Sequence, residues 1–360
     1  MSVSSMPTTR ELGDARARLA TLAEPLQFWR FPVWKHRHLR RCFPGRRLQF
    51  VTRAEQLKDA GALVVWGMAE PPVEARDLPL LRMEDGFLRS VGLGAELTRP
   101  LSWVADRRGL YYAAETASEL ETLLLEHPFP EELLQRAARL RARLVAAGIT
   151  KYNIGHQDWQ RPANVAEVIL VAGQVETDAA LRYGGPGLRS NLQLLRAARA
   201  EHPRAYLLYK PHPDVLAGLR RLGEGEERVH AIADEIIGEV PMERLLAQVD
   251  GVHVLSSLTG FEALLRGVPV TCHGLPFYAG WGLTKDCLPP LRPRRQLSLD
   301  ALVAAVLILY PLYFVDRSPE GQTPEAALTL LEDWRQRQGK QPPWWREFYR
   351  MLLRRFIGVH

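Results

Sequence analysis

Short apolar runs alternate with amphipathic segments in the first 150 residues of the chain. Four of these runs predict strands: 48–52, 62–66, 79–83 and 110–112. Residues 119–126 and 131–147 instead place apolar side chains three and four positions apart, which predicts helices with one buried face. Before residue 25 the pattern indicates only a helical or frayed lead-in.

A polar segment at 151–163 interrupts the pattern and predicts a domain boundary. The run 165–171 restarts it and is typical of a strand buried on both faces. Beyond it, strands and helices are predicted in alternation at 191–200, 205–209, 242–248, 251–255, 260–267 and 268–272. Such alternation favours parallel sheets with crossover helices, and therefore an α/β fold of two Rossmann-like domains facing a cleft.

The composition is that of an ordinary globular protein. The chain of 360 residues is 46% hydrophobic and 24% charged, which suits two domains of roughly 150 residues each. No apolar run approaches the roughly 20 residues of a membrane-spanning helix, and the N-terminal residues lack the apolar core of a signal peptide. Cys42, Cys272 and Cys287 have the spacing of neither a disulfide framework nor a zinc site. These features favour a cytoplasmic protein with reduced thiols.

The net charge of +6 is concentrated in two clusters that mix basic and aromatic residues, between Arg30 and Arg47 and between Trp344 and Phe356. Such clusters suit an anionic membrane surface, where each Lys or Arg adds about 1 kcal/mol. Nucleic-acid binding is a competing interpretation. The third interpretation is a solvated helix face with aromatic residues in the core. We expect the membrane surface to be a partner and nucleic acid not to be one.

Two acidic motifs follow predicted strands. Glu84 and Asp85 precede Gly86, which lets the chain turn sharply, and a carboxyl group with a raised pKa could carry a proton there. Asp178 follows the strand 165–171, with Glu176 nearby, and a carboxylate can attack an anomeric carbon. The simpler interpretations are an Asp-Gly turn for the first motif and a helix N-cap for the second.

Other motifs at strand ends suit a phosphate group. Lys210 and His212 form a cationic pair in a loop held by two prolines. Ser256 and Ser257 precede a predicted helix, whose free N–H groups and hydroxyls make an anion site. Glu262, predicted in the first turn of that helix, could bind ribose hydroxyls.

Gly173, beside Gln174, marks a place where the backbone could approach a ligand closely. The sequence has no Walker-type phosphate loop, which argues against an ordinary ATPase, and no Asp-x-Asp pair that would suggest a catalytic metal. His230, His253 and His273 lack ligand spacing and are interpreted as structural.

In this combination and order, the motifs resemble the KpsC family of capsule polysaccharide β-Kdo transferases. KpsC carries two such modules, and this chain resembles the C-terminal one over roughly residues 30–315. More distantly, the Glu-Asp-Gly and His-Pro elements are similar to those of bacterial sialyltransferases, which also use CMP-activated 2-keto sugars. The resemblance to KpsC is carried by these strings: Glu84-Asp85-Gly86-Phe87-Leu88-Arg89-Ser90, Lys151-Tyr152-Asn153, Gly173-Gln174-Val175-Glu176, Lys210-Pro211-His212-Pro213-Asp214, Ser256-Ser257, Gly260-Phe261-Glu262-Ala263-Leu264 and Pro276-Phe277-Tyr278-Ala279-Gly280-Trp281-Gly282-Leu283-Thr284.

The resemblance implies a GT-B architecture, with an acceptor-side domain at 1–160, a CMP-sugar domain at 161–315 and a helical tail at 316–360. It implies transfer of Kdo from CMP-β-Kdo to a Kdo-terminated glycolipid with retention of configuration. The reaction would take place at the cytoplasmic face of the inner membrane, without a metal or other cofactor. Carried over residue by residue, the resemblance implies that Asp178 is the nucleophile and that Glu84 or Asp85 handles the proton of the acceptor hydroxyl. It implies that the phosphate of the donor is held by Lys210, His212, Ser256 and Ser257. Glu262 would bind the ribose, and Gly173 and Gln174 would belong to the donor site.

Two other functions remain open at this stage. The first is a related CMP-sugar transferase, for example one that uses sialic acid. The second is a non-catalytic module of capsule assembly at the membrane. A scaffold would need none of Asp178, Glu84, Asp85 and His212, so their presence together favours an enzyme.

Overall fold

The computed structural model describes residues 14–88, 100–150, 157–316, 318 and 320–338. These residues form an α/β fold with two six-stranded sheets. The strands are β1 (Leu26–Trp29), β2 (Leu48–Val51), β3 (Ala62–Trp66), β4 (Leu80–Asp85), β5 (Ser102–Asp106), β6 (Val168–Ala172), β7 (Tyr206–Lys210), β8 (Glu235–Ile236), β9 (Gly251–Val254), β10 (Val270–Cys272), β11 (Lys285–Asp286) and β12 (Pro311–Tyr313). The helices are α1 (Ala15–Ala20), α2 (Val33–Cys42), α3 (Glu119–Glu126), α4 (Glu131–Ala146), α5 (Ala179–Arg182), α6 (Asn191–Glu201), α7 (Pro213–Leu216), α8 (Met242–Leu246), α9 (Leu258–Leu265), α10 (Leu299–Val303) and α11 (Pro324–Gln338).

The first sheet has the strand order β12-β5-β4-β3-β1-β2. Its strands β1 to β4 are parallel, whereas β5 pairs antiparallel with both β4 and β12. The first four residues of β3 are buried, as expected for a strand covered on both faces. The core beside this sheet is built around large side chains that are almost fully buried: Phe28, Leu81, Trp103 and Phe314.

Three strands of this sheet, β1, β5 and β12, were not predicted, and one predicted strand is wrong. The strand β1 was missed because its apolar run is interrupted by Gln27, a buried side chain that donates to the carbonyls of Lys58 and Ala60 at 3.0 Å each. The predicted strand at 110–112 is wrong, since this segment contains turns and the strand is β5. The chain bends directly after β5, where Asp106 accepts hydrogen bonds from the N–H groups of Arg108 (2.8 Å) and Gly109 (3.0 Å).

The second sheet has the strand order β11-β10-β9-β6-β7-β8, and all of its pairings are parallel. Every residue of β6 is buried, which confirms the prediction of a strand covered on both faces. On one face, α6 packs Leu194, Leu195 and Ala198 against β6 and β7. The predicted parallel sheet with crossover helices is therefore confirmed in this half of the chain.

The chain divides into two compact units. The first comprises residues 1–89, 100–141 and 300–329, and the second comprises 90–99, 142–299 and 330–360. This division differs from the predicted boundaries at 160 and 315. Residues 300–329 belong to the first unit because β12 extends the first sheet through its pairing with β5. Among the described residues, no helix has both the length and the apolar character to cross a membrane.

Candidate active site

Three loops of the second unit follow adjacent strands at the carboxyl end of the sheet. Gly173 follows β6, Pro211 follows β7, and Leu255 follows β9. From β6 the chain moves outward to β7 and β8, and then returns to the other side of β6 to form β9. The space between β6 and β9 is therefore a topological switch point, where open parallel sheets bind their ligands.

Gln174 joins the two loops that flank this switch point. Its Nε2 donates to Ser256 Oγ at 3.1 Å, and its Oε1 lies 3.3 Å from the backbone N–H of Ser256. Its main chain is held by Asn191, which accepts from the Gln174 N–H and donates to the Gln174 carbonyl, both at 2.9 Å. Asn191 was not singled out from the sequence, where it only marked the start of a predicted helix.

Gly173 is required by the packing of the neighbouring strand. Its N–H donates to the carbonyl of Lys210 at 2.8 Å. A Cβ atom at this position would lie 2.7 Å from the hydroxyl of Tyr209 and 3.0 Å from the carbonyl oxygen of Lys210. The close approach predicted from the sequence is thus an approach to β7.

Asp178 is exposed and caps the short helix α5. Its Oδ1 accepts a hydrogen bond of 2.7 Å from the N–H of Ala179, and among the described residues the carboxylate has no other hydrogen-bond donor. Glu176, by contrast, is tied at both oxygens, by the N–H groups of Asn191 and Glu224 at 2.7 Å each. Of the two acids, Asp178 is the one whose carboxylate remains exposed for chemistry.

Lys210 ends β7 and points its ammonium group at two carbonyls. Its Nζ donates to Gly238 and Val240 at 2.7 Å each, so it fixes the segment between β8 and α8. Burial lowers the pKa of Lys210 to about 8, although Glu243 and Glu239 act in the opposite direction. The ammonium is therefore still mostly protonated at pH 7.

His212 caps α7 through its ring. The N–H of Asp214 donates to Nδ1 of His212 at 3.1 Å. A neutral imidazole that accepts at Nδ1 carries its proton on Nε2, as assigned from this hydrogen bond. Nε2–H is then the group that could donate to a phosphate.

The helix α9 begins directly after the two serines. Ser257 is its N-cap and accepts from the N–H of Thr259 at 3.2 Å. Glu262 is buried one turn further along, so its predicted place in the first turn is slightly wrong. Tyr278 donates to the carbonyl of Ser257 and packs so closely on Gly260 that an added Cβ would overlap its ring. The uncommon string around Trp281 therefore supports the start of α9.

In the first unit, Glu84 and Asp85 are the last two residues of β4. Tyr112 donates to Glu84 Oε2 at 3.2 Å, and the N–H of Asp85 lies 3.0 Å from Oε1. Burial and then the charge of Asp85 raise the pKa of Glu84 to about 7, although these hydrogen bonds and the charge of Lys35 act in the opposite direction. A carboxyl group that titrates near neutral pH is suited to general acid–base catalysis.

The surroundings of Glu84 come from distant parts of the chain. Lys35 on α2 is buried with its Nζ 2.7 Å from the centre of the Trp66 ring. Gly86 donates to the carbonyl of Ser102 at 3.1 Å, and a Cβ there would overlap the Ser102 side chain. The Glu-Asp-Gly motif thus ends β4 where this strand pairs with β5.

The candidate residues are divided between the two units. Glu84 and Asp85 belong to the first, whereas the eight others lie in the second, on or next to the loops after β6, β7 and β9. Several motif residues fall outside the described residues: Arg89, Ser90, Lys151, Tyr152 and Asn153.

The N-terminal basic cluster is partly packed into the fold. His36 stacks on Phe50 with 3.7 Å between ring centres, and Arg46 donates to the carbonyls of Leu19 and Leu22. Arg37 and Arg40 on α2 are exposed. The C-terminal basic and aromatic cluster, between Trp344 and Phe356, lies outside the described residues.

The chain is similar to known capsule proteins along most of its length. The family model described as capsule polysaccharide biosynthesis protein matches residues 62–313. The capsule polysaccharide modification protein LipA of Neisseria meningitidis is 43% identical over 310 residues, which are 83% of this chain and 44% of LipA. The lipopolysaccharide-processing protein LpsZ of Rhizobium meliloti is 40% identical over 301 residues, which are 78% of this chain and 68% of LpsZ. The chain therefore spans less than half the length of LipA.

Two solved structures from Thermosulfurimonas dismutans are similar along most of the chain. The first, described as KpsC, beta Kdo 2,7 transferase, is 37% identical with a TM-score of 0.70, and the match covers 86% of this chain and 99% of that one. The second, described as KpsC, beta Kdo 2,4 transferase, is 32% identical with a TM-score of 0.75, and the match covers 86% and 98%.

Proposed function

The chain belongs to the family of capsule polysaccharide biosynthesis proteins, and we propose that it is a glycosyltransferase that transfers Kdo from CMP-β-Kdo to a Kdo-terminated glycolipid with retention of configuration. The observation that carries this proposal is the similarity, over 86% of the chain, to two structures that are described as β-Kdo transferases. The resemblance to KpsC stated from the motifs is thereby confirmed. The donor, the acceptor and the stereochemistry are the proposed parts.

The donor would bind at the switch point of the second sheet. The N-terminus of α9, with Ser256 and Ser257, provides N–H and hydroxyl groups for a phosphate, and His212 provides Nε2–H. A departing CMP carries negative charge, so donors preorganised on this side stabilise the transition state. Lys210 would act indirectly, since its Nζ is bonded to the carbonyls of Gly238 and Val240. Glu262 would bind the ribose hydroxyls. Gln174 would hold the loops after β6 and β9 together through its bonds to Ser256.

The chemistry at the sugar would use carboxylates. In a double displacement, Asp178 would attack the anomeric carbon, and the acceptor hydroxyl would then displace it from the other side, so that configuration is retained. Glu84 would take the acceptor proton, because its raised pKa of about 7 matches neutral pH. This mechanism requires a GT-B arrangement in which both sheets present their carboxyl ends to one cleft. It assigns no role to a metal or other cofactor.

The acceptor would place the protein at the cytoplasmic face of the inner membrane. A lipid-linked sugar lies at the surface, and Arg37 and Arg40 are exposed bases that an anionic surface attracts. The anionic membrane surface is therefore a proposed partner of the enzyme.

A transfer assay tests the proposal. The protein is incubated with CMP-Kdo, generated in place because the donor is labile, and with a short synthetic acceptor that ends in Kdo. Mass spectrometry measures the extension, and NMR measures the anomeric configuration of the new linkage. A β-Kdo product is expected. Transfer from CMP-sialic acid instead would refute the donor assignment, and an α-linked product would refute retention. No transfer, together with no thermal protection by CMP-Kdo, would refute the enzymatic proposal.

A further inference from the structure

A cluster of metal-binding side chains lies where α6 ends. Glu201 is the last residue of α6, His202 is its C-cap, and His253 lies in β9. One possible ligand atom from each side chain can be chosen so that all three lie within 4.8 Å of one another. Nε2 of His202 is 3.3 Å from Glu201 Oε1, and Nε2 of His253 is 3.9 Å from the same oxygen. Two imidazoles therefore face one carboxylate.

Both imidazoles are oriented by a second partner. Nδ1 of His202 lies 3.0 Å from Glu167 Oε1, and Nδ1 of His253 lies 3.0 Å from Nε2 of His273. Histidines that bind metals usually have one ring nitrogen held by such a partner, which fixes the ring and leaves the other nitrogen for the metal. Here the nitrogen that remains on each ring is the Nε2 that faces Glu201.

The cluster is separate from the candidate active site. His253 is in register with Val171 and therefore shares the face of the sheet that α6 covers. Glu167 and His202 precede β6 and β7, at the amino ends of these strands. The loops with Gln174 and His212 lie at the carboxyl ends of the same two strands. His253 is the third of the four residues of β9, and it is separated from those loops by its position on the face of the sheet that α6 covers. A ligand in this cluster would act on the packing of α6, and the inference depends on no part of the proposed transfer reaction.

The electrostatic surroundings are compatible with a cation. His253 is buried, and its ring centre lies 5.1 Å from that of His202. Glu201 Oε1 already binds the ammonium group of Lys285 at 2.9 Å. The side chain of Lys285 is 64% exposed, so it can move into solvent when a stronger cation arrives.

We propose that Glu201, His202 and His253 bind a divalent transition metal of the zinc class, which displaces the ammonium group of Lys285 from Glu201. Two imidazole nitrogens and one carboxylate oxygen are typical ligands of zinc, whereas magnesium and calcium prefer oxygen ligands alone. Zinc bonds to such ligands are about 2.0–2.2 Å long, which puts ligand atoms roughly 3.3–3.6 Å apart. The observed distances of 3.3 and 3.9 Å from Glu201 Oε1 are close to this range, and the ligand atoms all lie within 4.8 Å of one another. The metal would fasten the end of α6 to β9.

Sequence spacing could not reveal this site. Only Glu201 and His202 are neighbours in the chain, and they become ligands because α6 ends beside β9. From the sequence, His253 is interpreted as structural for lack of ligand spacing and no metal is expected, so the proposed site departs from both expectations. The proposed metal stabilises the fold.

Cobalt is a suitable probe, because Co²⁺ substitutes for zinc and gives a visible absorption band that depends on its ligands. The untagged full-length protein is titrated with CoCl₂ at pH 7.5. We expect one equivalent to bind, Zn²⁺ to remove the band, and Mg²⁺ to leave it unchanged. Zn²⁺ at a hundred-fold excess over its Kd is expected to raise Tm by roughly 5 °C.

Four variants assign the signal to these residues. His202→Gln removes a ligand and is expected to weaken binding at least about ten-fold. Glu167→Gln, at a partly buried position, is expected to weaken binding about ten-fold by loosening His202. Lys285→Met removes the competing cation and is expected to strengthen binding by up to about five-fold. His230→Ala, which changes an exposed histidine elsewhere, should bind like the parent.

Exposed Cys287 lies close to Lys285 in the chain and needs its own control. The Co²⁺ band should persist in Cys287→Ser, which would otherwise identify a thiolate site. The proposal is wrong if no equivalent of Co²⁺ binds, if the band survives unchanged in folded His202→Gln and Glu167→Gln, or if it disappears in Cys287→Ser. A gain of affinity in Lys285→Met cannot arise from misfolding. This variant therefore tests whether the affinity depends on the proposed site rather than on the stability of the fold.

Discussion

Replacing Asp178 with asparagine separates the two roles that this residue can have. As a helix cap, Asp178 accepts a hydrogen bond of 2.7 Å from the N–H of Ala179. Asparagine caps helices about as well as aspartate, so Asp178→Asn should change the free energy of unfolding by less than about 0.5 kcal/mol. Asp178→Ala removes the cap and should cost about 1 kcal/mol.

The effect on catalysis should be much larger than the effect on stability. Asparagine cannot form the glycosyl ester of a double displacement, so kcat in Asp178→Asn should fall at least about 10³-fold, by analogy with the loss of other catalytic nucleophiles. The donor site is formed by other residues, so thermal protection by CMP-Kdo should be kept.

Transfer is measured by CMP release with the Kdo-terminated acceptor, and stability is measured by urea denaturation. Asp14→Asn is the matched control, because Asp14 is an exposed N-cap of α1 that accepts from the N–H of Arg16 at 3.0 Å, outside the proposed site. That variant should keep full activity. If Asp178→Asn keeps more than about a tenth of the parental kcat, Asp178 is only a cap and the assignment of the nucleophile is refuted.

Three further predictions follow from the geometry of the two units. Burial raises the pKa of Glu84 from an ordinary 4.5 to about 7, so the stability contributed by its protonated form is lost as the pH rises from 4.5 to 7. Glu84→Gln should therefore gain stability relative to the parent across this range of pH, as measured by urea denaturation, and a constant difference would contradict the raised pKa. Gln174→Ala removes the bridge to Ser256 and should lower the free energy of unfolding by about 1–3 kcal/mol and weaken thermal protection by CMP. The control is Gln193→Ala at an exposed position, which only removes a capping-box contact. It should lower the free energy of unfolding by at most about 1 kcal/mol and leave the protection unchanged. Gly173→Ala forces a Cβ against Tyr209 and Lys210 and should lower the free energy of unfolding by about 1–3 kcal/mol. In the control Gly238→Ala, the nearest neighbour of the new Cβ would be 3.5 Å away, so the free energy of unfolding should change by less than about 0.5 kcal/mol. Equal losses of stability in the two variants would refute the packing argument.

Local patterns predicted much of the secondary structure. The strand β3 and the helix α3 have the predicted bounds, because an uninterrupted apolar run and a regular helical spacing do not depend on the rest of the chain. The strand β1 was missed because Gln27 breaks its apolar run, and Gln27 is tolerated there only through its bonds to Lys58 and Ala60. Such compensation lies outside any local window.

The candidate site was predicted as a set of loops rather than as a set of contacts. The loops after β6, β7 and β9 were placed at strand ends from the sequence, and the structure brings them side by side. The sequence did not indicate that Lys210 would bind the carbonyls of Gly238 and Val240. It also did not identify Asn191, because an asparagine at the start of a helix is common.

By itself, the sequence determined the alternation of strands and helices, the positions of the loops that follow the strands, and the membership of the chain in a capsule biosynthesis family. The tertiary structure alone decided which side chains meet: Gln174 with Ser256, Tyr112 with Glu84, and His202 with His253. Periodicity reports which face of an element is buried, and this is set by neighbours in the chain. A hydrogen bond, a pKa or a metal site depends instead on distances of a few ångströms between groups that are far apart in sequence, and only the order and register of the strands set those distances.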